Sequence, residues 1–408
     1  MIAPVFLQAP LVMFVAVQIF ALVVTVGFTQ EATFADDVSI LLDGSKITRR
    51  VLSIADGKVT FEGEGQSPVE IQNLRRIDRN LDKAAADADL RVQLAGGGVL
   101  LAKTIVMDEE FATMQWAYGT IKLPIEAVRA IRFSVETDAK KLPANFDTFD
   151  KSASLPAEGE DRLYVIIEKK VQSIAGSFLG LTDKGVKFEY AKQERVVELD
   201  RVFGVILARI GKPPKLIGKT QLHLTDGSLL WADIDAMKSG IAKITPVGGK
   251  QIPLPWATVM RADVRSDRLV FLSDTEPTKV FERSIAYVGK WQKNRSVRGR
   301  QLTLRGKVYE KGFGVHAVTR LTFNTDSNYP IFAATIGIDD ETKGKGDCEF
   351  VILGDGKEIF RKRIKGSDPA HAVRVDLSKY KQFVLAVERG EDLDFADHGN
   401  WCDARLIR

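Results

Sequence analysis

Three short stretches decide the fold of this chain: Glu349-Phe-Val-Ile-Leu353, Val373-Arg-Val-Asp-Leu377 and Phe383-Val-Leu-Ala-Val387. Apolar and polar residues alternate along them, which turns one face towards a core and one towards solvent, the period of a half-buried strand. Turns are signalled between them at Gly354-Asp-Gly356 and Gly366-Ser-Asp-Pro369. Seven or more strands in the region 269–408 predict a β-sandwich. The same region concentrates residues with site chemistry, holding three of the four histidines (His316, His371, His398) and both cysteines (Cys348, Cys402).

Working back towards the amino terminus, strands and hairpin turns continue. Val38-Ser-Ile-Leu-Leu42, Lys46 to Ile54 and Lys58-Val-Thr-Phe61 are separated by Asp43-Gly44 and Asp56-Gly57, and closed by Val69-Glu-Ile71 and Leu74-Arg-Arg-Ile77. Asp-Gly supplies the positive backbone angles of a tight hairpin. The order recurs three times, leading to Val128–Phe133, Val202–Leu207 and Val259–Val264. The expected organisation is four small β units, at 36–80, 90–134, 163–210 and 218–266, each a bent meander of about five strands. Pro124 and Pro253 confine their strands to edge or terminal pairing. Ala/Asp-rich Leu81–Leu90 is expected to form a short helix. Residues 135–162, with Pro143 and Pro156, are expected to be a linker dividing the units into two pairs. By pattern, the units resemble Sm-like or SH3-like small barrels.

The first thirty residues carry no charged side chain, and Leu11–Phe28 is long and apolar enough to cross or nearly cross a bilayer. Residues 1–35 are therefore expected to be a signal peptide cleaved after Ala35, or an uncleaved membrane anchor. Both place the bulk of the chain in an oxidising compartment outside the cytoplasm, secreted, periplasmic or at the cell surface. The balance of 58 basic and 54 acidic residues leaves a net charge of +4, a weak field without a dense Lys/Arg stripe for phosphates, so nucleic acid is excluded as an expected partner.

Five segments carry a resemblance. Leu272-Ser-Asp-Thr-Glu-Pro277, Tyr309-Glu-Lys-Gly-Phe-Gly-Val-His-Ala317, Gly337-Ile-Asp-Asp-Glu341, Leu353-Gly-Asp-Gly-Lys-Glu-Ile-Phe360 and Asp397-His-Gly-Asn-Trp-Cys-Asp-Ala-Arg-Leu406 follow one another as in the NPCBM family, the carbohydrate-binding module found beside family 98 glycoside hydrolases. The resemblance implies a galactose-binding-like sandwich (jelly roll), non-catalytic binding of a glycan, galactose-containing ones among the candidates, and often a bound calcium. Two positions depart from the family: Cys402 replaces a small residue, and Gly399-Asn400 alters the approach to Trp401.

The residues suit such a site. A pyranose presents an apolar face and a ring of hydroxyls, so it needs an aromatic platform and convergent polar groups. Trp291 and Trp401 are the candidate platforms. Asp339, Asp340, Glu341, Asp397, His398 and Asn400 are the candidate rim, with His316 either a ligand contact or the anchor of a glycine-rich turn. Calcium would draw on Asp394, Asp397 and Asp403. Cys348 and Cys402 form a disulfide if either is bridged within the chain; zinc is disfavoured because His316, Cys348, His398 and Cys402 lack close ligand spacing.

The expected protein is all-β: a hydrophobic leader helix, tandem small barrels and a sandwich that binds carbohydrate without catalysis. Two alternatives are an assembly protein that binds other cell-surface proteins through its repeats, and a glycoside hydrolase. The hydrolase is disfavoured because Asp339-Asp340-Glu341 are adjacent, whereas glycosidic cleavage needs two carboxylates flanking one bond.

Overall fold

The computed structural model describes residues 36–108, 110–154, 159–182, 184–208, 215–216, 218–283, 290–391 and 393–408. The leader, 1–35, lies outside them. Among the described residues, no helix is long and apolar enough to cross a membrane.

The region from Val38 to Val264 is built of four units, the first of six strands and the others of five, each with a single 3-10 turn before its last strand: Ile71–Asn73, Ile125–Ala127, Leu199–Arg201 and Trp256–Thr258. The hairpin at Asp56-Gly57 shows why that dipeptide is used, since the two residues have φ of 51° and 70°. Pro124 ends its strand, and Pro253 lies in Ile252–Pro255, which pairs only with Ile241–Pro246, so neither proline interrupts a ladder on both sides.

The units pair in a nested order. The last strand of the first unit, Leu74–Asp78, runs antiparallel to the last strand of the fourth, with Ile77 opposite Ala262. The last strand of the second unit, Val128–Arg132, likewise pairs with that of the third, with Ile131 opposite Val205. The expected division by 135–162 into a leading and a trailing pair is therefore corrected. Each closing strand offers an open edge, and the edges cover one another. In the second and third units these strands are buried at every position, Val128–Arg132 and Val202–Ile206.

Two segments between units also differ from expectation. Residues 81–88 are not helical. Their aspartates compete poorly for helix interiors, and Ala84 donates its N–H to the Thr225 carbonyl at 2.8 Å. The stretch 135–162 contains the helix Asp147–Ser154. Phe149 of that helix meets Tyr164 and Phe203 edge-on at 5.1 and 5.6 Å, sealing a satellite core with Ala130, Val171 and Ile206.

From Leu269 the chain forms a two-sheet sandwich. One sheet runs Gln292–Lys293, Gly312–His316, His398–Ile407, Ile331–Ile338, His371–Asp376, with Leu269–Phe271 added along the far half of His398–Ile407. The facing sheet runs Lys279–Glu282, Thr319–Asn324, Gln382–Arg389, Asp347–Gly354, Lys357–Lys365. Phe313, Phe323, Phe332, Phe350, Phe383 and Trp401 fill the space between them.

The sandwich is fastened to the first and fourth units. Asp403 pairs with Arg75 at 2.9 Å. Buried Arg405 donates from Nε to the Leu42 carbonyl at 2.9 Å, and burial lowers its pKa to about 10. Glu310 receives both arms of Arg261, at 2.7 and 2.9 Å, and Leu42 packs on Ala333 and Ile407. Beneath this contact, burial would raise the pKa of Asp263, but the His223 hydrogen bond and the charges of Arg76 and Arg261 outweigh it and hold the value down from 3.8 to about 2. A carboxylate with a depressed pKa stabilises the fold above its unfolded value and loses that contribution as pH falls towards its folded one. Acid unfolding of the native protein therefore steepens between about pH 4 and pH 2, and Asp263→Asn is less stable at neutral pH with a shallower decline over that window, as thermal melts across the pH series would show.

Candidate functional site

The polar residues singled out from sequence gather at one end of the sandwich. The strand Ile331–Ile338 runs into Asp339-Asp340-Glu341, and the neighbouring strand begins at His398, so that Ile338 stands opposite Gly399. Asp339 caps the 3-10 turn Asp340–Thr342 by accepting the Glu341 N–H at 2.9 Å. It also accepts from the Thr303 N–H at 3.0 Å and from Asn400 Nδ2 at 2.5 Å. Burial raises the Asp339 pKa, opposed by these donors. Asp340 accepts from the N–H groups of Arg305 and Gly306.

Glu341 is the hub. Its side chain is 2% exposed and receives His398 Nδ1 at 2.7 Å, Ser296 Oγ at 2.7 Å and the Arg298 N–H at 3.3 Å. Burial works to raise its pKa, but the hydrogen bonds from His398 and Ser296 prevail and lower it. His316 donates Nδ1–H to the Ala317 carbonyl at 2.5 Å, and burial lowers its pKa. The two imidazoles meet edge-on with ring centroids 5.6 Å apart. Both spend Nδ1–H on a protein oxygen, so each keeps Nε2 for another partner, and neither Nε2 is fully buried without one.

The aromatic platforms need correction. Trp401 is fully buried, meeting Phe350 at 5.3 Å and Phe332 at 6.1 Å, and stacks on nothing outside the core. Its strand is covered on both faces, which sequence alternation does not distinguish from an exposed terminal strand. Trp291 is half-buried with its ring tilted against Phe313 at 6.0 Å. Sequence reading missed Phe395, 62% exposed in the loop that leads to the histidine pair. In that loop the Ala396 carbonyl accepts the His398 N–H at 2.8 Å, and the Asp397 carbonyl accepts the Ala317 N–H. No sequence signal marks it, since the flanking Asp394 and Asp397 are themselves buried.

Three further expectations separate. Asp397 is buried, accepts the Asp347 N–H at 2.9 Å and braces the loop rather than facing outward. Asp394 is also buried, whereas Asp403 is committed to Arg75. Among the described residues, Asp394, Asp397 and Asp403 are not gathered into one group of three or more His, Cys, Asp or Glu that could hold a metal ion. Cys348 and Cys402 are both buried, in different clusters, and no disulfide joins them, so the expected bridge is not made. A cavity of about 460 Å³ lies elsewhere, among the second, third and fourth units, lined by Pro124, Phe178, Leu230 and Trp231. It is mostly apolar and offers sugar hydroxyls less than the histidine–carboxylate cluster does.

Residues 268–407 match the model of the NPCBM/NEW2 domain. The carboxy-terminal sandwich is an NPCBM domain. Within a stretch of 114 residues the chain is 34% identical to a Renibacterium salmoninarum protein named "Putative endo-alpha-N-acetylgalactosaminidase", covering 27% of this chain and 7% of that protein. The chain thus spans a small part of that relative. Among solved structures, the CBM51 module of a Clostridium perfringens GH95 protein, in complex with methyl-galactose, is 27% identical, covers 34% of this chain and 99% of its own, and has a TM-score of 0.32. The tandem CBM51 modules of a Streptococcus pneumoniae family 98 glycoside hydrolase are 14% identical over 80% of this chain and 97% of their own, with a TM-score of 0.30. The NPCBM assignment supports a carbohydrate-binding role.

Because Trp401 is a core residue of the NPCBM domain, Trp401→Ala is expected to cost about 3–5 kcal/mol of stability. Denaturant unfolding followed by Trp or Phe near-ultraviolet dichroism measures the loss.

Proposed function

We propose that this protein is an exported, non-catalytic carbohydrate-binding protein whose NPCBM domain holds a pyranose against the His316–His398–Glu341 end of the sandwich. The observation that carries the reading is the pair of histidines with Nε2 left for a hydroxyl, beside an exposed Phe395. A sugar's apolar face packs on that ring while its hydroxyls donate to the two Nε2 atoms. Glu341 fixes the tautomer and the angle of the His398 ring, and Ser296 fixes Glu341. Catalysis is not part of the proposal. Asp339 and Glu341 are both buried and engaged by protein donors, rather than set across an open cleft. The apolar leader, 1–35, is proposed to export the chain or to anchor it.

Calorimetry with methyl galactoside and N-acetylglucosamine, followed by a glycan array, tests the site. Phe395→Ala and His398→Ala are each expected to weaken binding at least tenfold, about 1.4 kcal/mol, with the fold retained. Undiminished binding in both variants removes the site assignment. Release of reducing ends from a polysaccharide panel would restore the hydrolase alternative.

A second reading is favoured by the apolar cavity among the repeats, whose Trp231 and Phe178 are suited to a partner protein's side chain. Its test is Trp231→Ala in a binding assay against the intact cell surface, with Phe395→Ala as the control for glycan-mediated attachment.

A further inference from the structure

We infer that the ligand of the NPCBM face is an anionic glycan, a pyranose polymer bearing sulfate esters or carboxylates. This rests on the reading of that face as a glycan site and goes beyond it by assigning the ligand's charge.

The net charge of +4 conceals a local basic run, which corrects the expectation that the chain lacks a dense Lys/Arg stripe. Between Glu282 and Glu310 the chain has no acidic residue and eight basic ones: Arg283, Lys290, Lys293, Arg295, Arg298, Arg300, Arg305 and Lys307. The part of this run from Ser296 to Gly306 is the loop that wraps the candidate site. It is held there through its backbone and one hydroxyl, not through its charges. Thr303 N–H binds Asp339, Arg305 and Gly306 N–H bind Asp340, and Arg298 N–H and Ser296 Oγ bind Glu341. Asp339, Asp340 and Glu341 thus hold the loop through these groups, and none of the three forms an ion pair with its guanidinium groups among the described residues.

The remaining cations of the run divide accordingly. Lys293 is paired with Glu276, and Lys307 lies over the Tyr309 ring at 4.5 Å. Arg295, Arg298, Arg300 and Arg305 are all exposed, and none has a side-chain hydrogen bond or ion pair among the described residues. Elsewhere in the sandwich Arg320 pairs with Glu388, Arg361 with Glu349 and Glu358, and Arg363 with Asp347 and Glu391, while Arg374 is exposed with no such pair among the described residues. What sets the site loop apart is the density of four such arginines between Arg295 and Arg305. Holding several like charges on one loop is unfavourable unless something opposes them. A planar guanidinium fits a carboxylate or a sulfate through two parallel hydrogen bonds, which makes a charged glycan the complementary ligand. The adjoining histidine pair and Phe395 supply the contacts to ring and hydroxyls that a simple polyanion would not use.

Affinity electrophoresis and calorimetry on the full protein distinguish the sources of charge. The probes are a sulfated galactan (carrageenan), a uronic acid polymer (alginate), an uncharged galactan (agarose oligosaccharide) and a DNA duplex. At least one anionic polysaccharide is expected to bind tenfold or more tightly than agarose oligosaccharide, with the preference shrinking between about 50 and about 300 mM salt. Arg298→Gln with Arg300→Gln, and separately Arg295→Gln with Arg305→Gln, are expected to reduce that binding at least tenfold while melting temperature and neutral-sugar affinity stay unchanged. Equal affinity for charged and uncharged galactans overturns the charge assignment and leaves the glycan site standing. Unchanged binding in both arginine variants, or equal capture of DNA, also overturns it. Failure of every polysaccharide to bind overturns this inference together with the glycan site.

Discussion

The strand His398–Ile407 is buried at all ten positions, and the rest of the molecule is arranged around that constraint. A strand covered on both faces can carry polar side chains only where each has a partner. His398 has Glu341, Asn400 has Asp339, Asp403 has Arg75, and Arg405 has the Leu42 carbonyl. The first two partners lie in the candidate site and the last two in the first small barrel. A single strand therefore connects the candidate site at one end with the repeats at the other, and the NPCBM domain is seated on its neighbours rather than suspended from them.

The same requirement organises the site. Asp339, Asp340 and Glu341 are adjacent in sequence and resemble an acid cluster awaiting a ligand or metal. They instead satisfy backbone N–H groups of the loop Ser296–Gly306. Glu341 additionally orients His398, so the cluster fixes the angle of an imidazole ring rather than offering a free carboxylate.

Much of this was legible from sequence, and the limits have physical causes. Alternation and hairpin chemistry indicate the strands and their fourfold recurrence, because side-chain period and positive φ are local properties. The motif order around Tyr309–Ala317 and Asp397–Leu406 indicates the NPCBM domain. Strand partners between units are not local: Ile77 faces Ala262, not its neighbour in the chain. Trp401 was misread as a platform because burial on a second face comes from the opposite sheet, through Phe350. Phe395 was missed for the converse reason, since nothing in a loop's composition tells an exposed ring from a packed one. The helix Asp147–Ser154 has only Phe149 and Ala153 as buried anchors, too few for a periodic signal.

The nested pairing of the units has a bearing on how the chain matures. The closing edge of the first unit has its partner in the fourth, so during synthesis from the amino terminus Leu74–Asp78 must wait, unpaired, until Val259–Val264 has been made. The second and third units face a shorter wait, because their partners are neighbours in the chain. Assembly thus proceeds from the inner pair outward, and the long-range outer closure carries the larger loop entropy and the longer exposure of an open edge. The sandwich follows the repeats in the chain and has its seat on the first and fourth units, so its placement depends on correct assembly of the repeats.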